Sequence, residues 1–79
     1  MNYNQEMIEE LNLLALYNLD TTLAGLKVHA SSATPGTVAA AHRLFTKGLT
    51  TQEDGGYLTA IGHEAAEMAQ TLFHLINPA

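Results

Sequence analysis

Apolar positions recur with a helical period over residues 5–18, where Met7, Leu11 and Leu14 fall on one stripe with Ile8 beside it. From Leu11 onward the apolar residues run most of the way round, through Leu13, Leu14, Ala15, Leu16 and Tyr17. A helix apolar on both sides is either central in its domain or half-buried in a dimer. Asn2 or Asn4 supplies an N-cap oxygen, and Glu6, Glu9 and Glu10 suit the positive end of the helix dipole. The run Asn18-Leu19-Asp20-Thr21-Thr22 then breaks the pattern. Two periods compete over residues 21–30. Leu23, Leu26 and Ala30 fit one face of a short helix, while Leu26, Val28 and Ala30 alternate with Lys27 and His29 as a strand would. Gly25 weakens the helix by about 1 kcal/mol relative to alanine. A short helix over 21–30 is the reading adopted, with the strand as its alternative.

The second half is punctuated more clearly. Thr34 is a capping residue, and Pro35 has the fixed φ tolerated at the first helical position. The helix predicted over 35–47 turns Val38, Ala41, Leu44 and Phe45 one way and Ala40, Arg43 and Lys47 the other. Gly48 stands where a left-handed cap is wanted. Leu49-Thr50-Thr51 and Tyr57-Leu58-Thr59 flank an Asp54-Gly55-Gly56 turn, which predicts a hairpin over 49–59. Thr59 caps a last helix over 60–76, ended by Asn77-Pro78. Its expected core stripe is Ile61, Ala65, Met68 or Ala69, Leu72 and Ile76, with Leu75 alongside, and Met7, Tyr17 and Met68 are also placed in the core. The fold class is mostly α with a small β-hairpin, an α+β single domain over residues 1–79.

Composition narrows the chemistry. The chain has 79 residues and no cysteine, so disulfides, thiolate metal sites and thiol nucleophiles are excluded. An apolar fraction of 47% against 14% charged supports a real core. Acids stand where a signal peptide needs bases, and the longest apolar run, residues 13–17, is far short of the ~20 residues that span a bilayer. A cytoplasmic protein with no membrane contact is expected. The net charge of −5 is segregated. Glu6, Glu9, Glu10 and Asp20 precede residue 21, and Glu53, Asp54, Glu64 and Glu67 follow residue 50. Lys27, Arg43 and Lys47 lie between, with no acid among them.

No reactive constellation emerges. His63 and Glu67 echo the spacing of a zinc helix, but the second ligand is Glu, and His74 is the one further candidate nearby. A solvated helix start explains them better. Ser31 and Ser32 sit in a small-residue loop without an oxyanion-hole motif, and Gly55-Gly56 lacks the Lys-Ser or Lys-Thr of a phosphate loop. The expectation is a protein that is not an enzyme, with no cofactor, no metal and no small-molecule substrate.

Residues 34–72 resemble the second half of a winged helix-turn-helix domain. The parts that carry the resemblance are Leu44-Phe45-Thr46-Lys47-Gly48-Leu49, then Tyr57-Leu58-Thr59, then Thr59-Ala60-Ile61-Gly62-His63-Glu64-Ala65. The whole chain is also similar to a small family of uncharacterised bacterial proteins, which brings no activity with it. The winged-helix resemblance implies a wing over the hairpin and a recognition helix over 35–47. Three departures stand out: a long connection replaces the tight turn before that helix, its first half offers Gly36, Thr37, Ala39 and Ala40 with Arg43 and Lys47 only late, and Glu53 and Asp54 occupy a wing tip that commonly carries Arg or Lys. The nucleic-acid contacts implied are Thr34, Thr37, Arg43 and Lys47, with Lys27 supporting. Three cations reach about three phosphates per monomer, against ~6–10 for a strongly salt-dependent binder, so DNA binding requires a dimer. Phe73 and Ile76 do not fit one narrow stripe with Ile61 and Ala65, which leaves apolar surface over. Leu72, Phe73 and Ile76 are therefore the candidate partner interface. The favoured reading is a winged-helix-type interaction or dimerisation module that contacts a second copy or another protein. The alternative is a DNA-binding transcriptional regulator acting as a dimer.

Overall fold

A computed structural model describes residues 1–78. The order of elements is α1 (Gln5–Leu14), β1 (Leu26–Lys27), α2 (Pro35–Thr46), β2 (Thr50–Gln52), β3 (Gly55–Leu58) and α3 (Ala60–Ile76). The strands form one antiparallel sheet in the order β1-β3-β2. This is the α+β arrangement the sequence implies, and among the described residues no helix is long and apolar enough to cross a membrane.

Each helix begins on a side-chain oxygen. Asn4 Oδ1 accepts from the Met7 amide at 2.8 Å, Thr34 Oγ1 from Thr37 at 3.2 Å, and Thr59 Oγ1 from Gly62 at 3.0 Å. The Thr59 hydroxyl also donates to the Gly48 carbonyl at 2.7 Å, so one side chain ties the end of α2 to the start of α3. Gly48 takes the left-handed conformation expected of it, with φ +79°.

The region 21–30 corrects the helical expectation. Asn18 Oδ1 accepts from the Asp20 amide at 2.9 Å and Thr21 Oγ1 from Leu23 at 3.1 Å, local turns that compete with a helix. Leu26 and Lys27 pair instead with Gly56 and Gly55 of β3, and the Val28 amide continues the ladder to the Asp54 carbonyl at 2.8 Å. Leu26 and Val28 are half-buried and Lys27 is exposed, so the alternating pattern is the one that describes this segment.

The hairpin turns at Glu53-Asp54, one step before the expected Asp54-Gly55-Gly56. Gly55 and Gly56 lie within β3 with φ of +122° and +75°, and the register shifts between Thr50↔Leu58 and Gln52↔Gly55. A Cβ at Gly55 would overlap the Leu26 carbonyl oxygen, so glycine is what lets β1 approach this closely.

Helix α1 stops at Leu14 rather than at residue 18. Its last carbonyls find a partner far along the chain: the Gln70 side-chain amide donates to Leu14 O at 3.2 Å and to Tyr17 O at 2.8 Å. Tyr17 folds inward and is buried, which pushes its phenol pKa up through desolvation.

The core is small-residue rich. Leu13, Leu14, Ala40, Ala41, Leu44, Ala66 and Ala69 form it, with Leu11, Leu19, Leu26, Val28, Leu49, Leu58 and Ala65 packed around them. Two expected faces hold in part: Ala41 and Leu44 of α2 and Ala65 and Ala69 of α3 meet the core as expected, while other members of each stripe turn outward. On α3 the buried stripe is Gly62, Ala66 and Ala69, while Ile61, Met68, Leu72 and Ile76 are exposed. The reason at Gly62 is close approach: a Cβ there would overlap the carbonyl of Leu49, the residue just ahead of β2, so no larger side chain fits. On α2, Ala40 is fully buried and Phe45 exposed, because the face of Ala40, Arg43 and Lys47 turns toward α1. Met7, expected inside, is exposed.

Candidate functional site

The residues expected to meet phosphate are each engaged within the chain. Glu10 projects from α1 with a side chain 9% exposed. Its Oε2 accepts from Arg43 Nε at 2.9 Å and its Oε1 from Lys47 Nζ. Arg43 also donates from Nη2 to the Glu6 carbonyl at 3.1 Å, and its guanidinium lies 3.7 Å from the Glu6 carboxylate and 3.9 Å from that of Glu9. Burial alone would raise the Glu10 pKa, but the hydrogen bonds and charges of Lys47 and Arg43 outweigh it and hold the carboxyl below its ordinary range. The Glu10 hydrogen bond in turn raises Arg43.

The start of α2 is covered as well. A Cβ on Gly36 would come within 2.6 Å of Glu9 Oε1, so an α1 carboxylate lies against the first turn of the helix. Thr34 and Thr37 hold each other through their hydroxyls at 2.9 Å. Arg43 and Lys47 thus converge, but on a carboxylate. Lys27 pairs with a different one, Asp54 at the hairpin turn, whose pKa falls through that hydrogen bond. The other acid of the turn, Glu53, lies 3.6 Å from His42 Nδ1.

The zinc-like spacing resolves into a helix-surface pair, His63 Nδ1 to Glu67 Oε1 at 3.0 Å. Among the described residues no three His, Asp or Glu side chains gather as a metal site would require. A cleft of about 390 Å³ is lined by Asn18, Thr21, Thr22, Leu58, Thr59 and His63, among others.

A different surface is free of such pairing. Between α1 and α3 runs an apolar groove of about 170 Å³. Ile8, Leu11, Asn12 and Ala15 line one wall and Ala69, Leu72, Phe73 and Ile76 the other. The sequence-derived interface residues Leu72, Phe73 and Ile76 come together here, with Phe73 50% and Ile76 72% exposed. The Phe73 ring is braced edge-on by His74, with centroids 5.6 Å apart. Ala66, also weighed for this surface, is instead buried in the core.

Sequence reasoning missed the α1 wall of the groove and the role of Glu10. For Glu10 the signal was present in the segregated charges: acids at 6, 9 and 10 and bases at 43 and 47 each repeat at helical spacing, as two helix faces of opposite sign would.

The order of elements, the glycine-dependent sheet and the paired helices are spread over the whole chain, and so is its match to a family model, which extends over residues 1–77. The chain belongs to a family of unknown function (DUF5669). Searches of curated proteins and of solved structures each found no match. Membership agrees with the whole-chain resemblance and assigns no reaction or ligand, so what this family member does has to be argued from its surfaces.

Proposed function

We propose that the protein is a non-enzymatic interaction module of winged-helix type that works by contacting protein through the α1/α3 face. The observation that carries this reading is a contrast between two surfaces. All three fixed cations, Lys27, Arg43 and Lys47, are neutralised by carboxylates of the same chain, while an uncharged apolar groove stands open.

The winged-helix type is supported by the succession of α1, β1, α2, hairpin and α3 with β1 paired to the second hairpin strand. It lacks one helix of a helix-turn-helix unit, since residues 28–34 form a turn ahead of α2. That departure also favours protein over DNA. A recognition helix reads bases with Arg, Lys, Asn or Gln near its start, and α2 begins Pro35-Gly36-Thr37-Val38-Ala39. The DNA-binding alternative would require Arg43 and Lys47 to leave Glu10, at the cost of a nearly buried carboxylate without partners.

Titration of mixed-sequence duplex DNA at about 50 mM salt, where phosphate contacts are least screened, tests the choice. No binding is expected up to ~100 μM protein, a concentration that reaches the weak end of ordinary non-specific affinities. Micromolar, salt-sensitive binding would reverse the order of the two readings.

A further inference from the structure

We infer that the cleft between residues 18–24 and the start of α3 is a ligand site for a small uncharged molecule that carries carbonyl oxygens beside an N–H, the pattern of a cyclic amide or imide. This goes beyond the reading of the α1/α3 face and rests on none of the observations behind it.

His63 supplies the first argument. Its Nδ1 lies 3.0 Å from Glu67 Oε1, and a carboxylate only accepts, so Nδ1 is the nitrogen that carries the proton. In the neutral ring Nε2 is then left as a lone-pair acceptor, on a side chain that lines the cleft and is 34% exposed.

The second argument is what the fold leaves to the other polar groups. Asn18 Oδ1 is taken by the Asp20 amide, so its side-chain N–H groups remain. Thr21 Oγ1 is taken by the Leu23 amide, so its proton remains. Thr22 is exposed and has no hydrogen-bond partner among the described residues. Thr59 has spent its proton on the Gly48 carbonyl. The cleft therefore offers donors at Asn18 and Thr21 and a fixed acceptor at His63, over apolar walls of Ala24, Leu58 and Ala60. Its complement brings carbonyl acceptors, one N–H and apolar faces.

Charge narrows the class further. No Lys, Arg, Asp or Glu lines the cleft. Asp20, exposed between the lining residues Asn18 and Thr21, opposes a carboxylate or phosphate, and the Asn18 and Thr21 donors oppose a cation. The volume of about 390 Å³ falls within the ~300–1,000 Å³ of small-molecule sites.

The test uses the full chain with uracil as the probe, two carbonyl oxygens flanking an N–H, followed by backbone amide NMR shifts. Half-saturation is expected near ~1 mM, an ordinary affinity for so small a molecule, with the shifts gathered at Asn18, Thr21, Thr22, Ala24 and His63. N,N′-dimethyluracil keeps the carbonyls and loses the N–H, so it should bind about 5-fold or more weaker, the worth of one hydrogen bond. His63→Phe should bring uracil down to the level of the dimethyl compound, and Thr22→Val should weaken uracil by about 3-fold. Both side chains reach the surface, so both variants should keep their helical circular dichroism. Orotate, the same ring with a carboxylate, and a short oligothymidylate, a related base on a phosphate backbone, should each bind more weakly than uracil. No shifts up to about 20 mM uracil, or shifts centred outside the cleft, overturn the site while leaving the α1/α3 reading in place. Equal binding of uracil and its dimethyl form overturns the role of His63. Tighter binding of orotate or the oligonucleotide overturns the uncharged ligand.

Discussion

Replacing Glu10 with glutamine is expected to lower the unfolding free energy by about 2–3 kcal/mol at pH 7, the largest loss for any surface-derived charge in the chain. The carboxylate accepts from both Arg43 and Lys47 in a setting where its own side chain is 9% exposed. Glutamine keeps one acceptor but turns an amide donor toward a cation, leaving a donor facing donors. Breaking a fully buried pair costs ~3–5 kcal/mol; Arg43 and Lys47 remain 23% and 52% exposed, so water offsets part of it. The effect has a pH signature. In the folded chain the Glu10 pKa lies below its ordinary value of 4.5. Its contribution is therefore fully present above that value and is lost as pH falls through the lower folded one. Glutamine does not titrate, so the gap between the two proteins should close on acidification. Urea melts at pH 7 and pH 3 measure it; a gap that stays constant would show that the charge of Glu10 is not what holds α1 to α2.

Gly62→Ala is expected to destabilise by a similar amount, about 2–3 kcal/mol, and the sign is the informative part. Alanine is favoured over glycine inside a helix by about 1 kcal/mol, so propensity alone forecasts a gain. The new Cβ, however, would overlap the Leu49 carbonyl oxygen and lie 2.8 Å from its carbon. That carbonyl is fixed, since it accepts from the Thr59 amide at 3.1 Å while the Leu49 amide donates to Leu44 at 3.0 Å. Backbone held at both ends yields poorly, and overpacking of this kind costs ~1–3 kcal/mol or more beyond the propensity gain. For a domain of this size the loss corresponds to a drop in Tm of roughly 10–20 °C. Gly48→Ala provides the control. Nothing lies within 4 Å of a Cβ there, and only the positive φ opposes it, for a loss of about 1 kcal/mol. A Gly62→Ala protein that melts at or above the parent temperature would mean that α3 does not sit against Leu49.

What could be read from the sequence was what local chemistry determines. Thr34-Pro35 starts α2, Gly48 ends it, and Thr59 starts α3, each within a residue or two of the boundary expected. Those signals work because the groups that satisfy a helix end are neighbours in the chain. Where the partner is remote the boundary was misplaced. The Leu11 and Leu13 carbonyls are met by nearby amides, but the Leu14 and Tyr17 carbonyls accept from Gln70, 56 residues beyond Leu14, and nothing near residue 14 announces that donor. The faces of α2 and α3 were read correctly at Ala41, Leu44, Ala65 and Ala69 and misjudged at the larger residues, for a related reason. Periodicity weighs large apolar side chains as interior, but here close approach to Leu49 requires Gly62, and the small residues Ala66 and Ala69 fill the core on the same face. Leu72 and Ile76, displaced from that role, join Phe73 in the candidate interface, so the surplus of apolar surface was legible even though its geometry was not. Arg43 and Lys47 were legible as a pair and misread as to what they meet, because an acidic helix in the same chain supplies the anion.

The internal pairing of Lys27, Arg43 and Lys47 has an outward consequence. With each cation already matched to a carboxylate, no positive region remains to relieve the field of a chain whose formal charge is −5, and two copies approaching each other in dilute buffer feel mutual repulsion at long range. Counter-ions shorten that range to about 10 Å at 0.1 M. Added sodium chloride should therefore ease the approach of two such acidic surfaces, whereas any protein held by phosphates lets go as the same salt is raised.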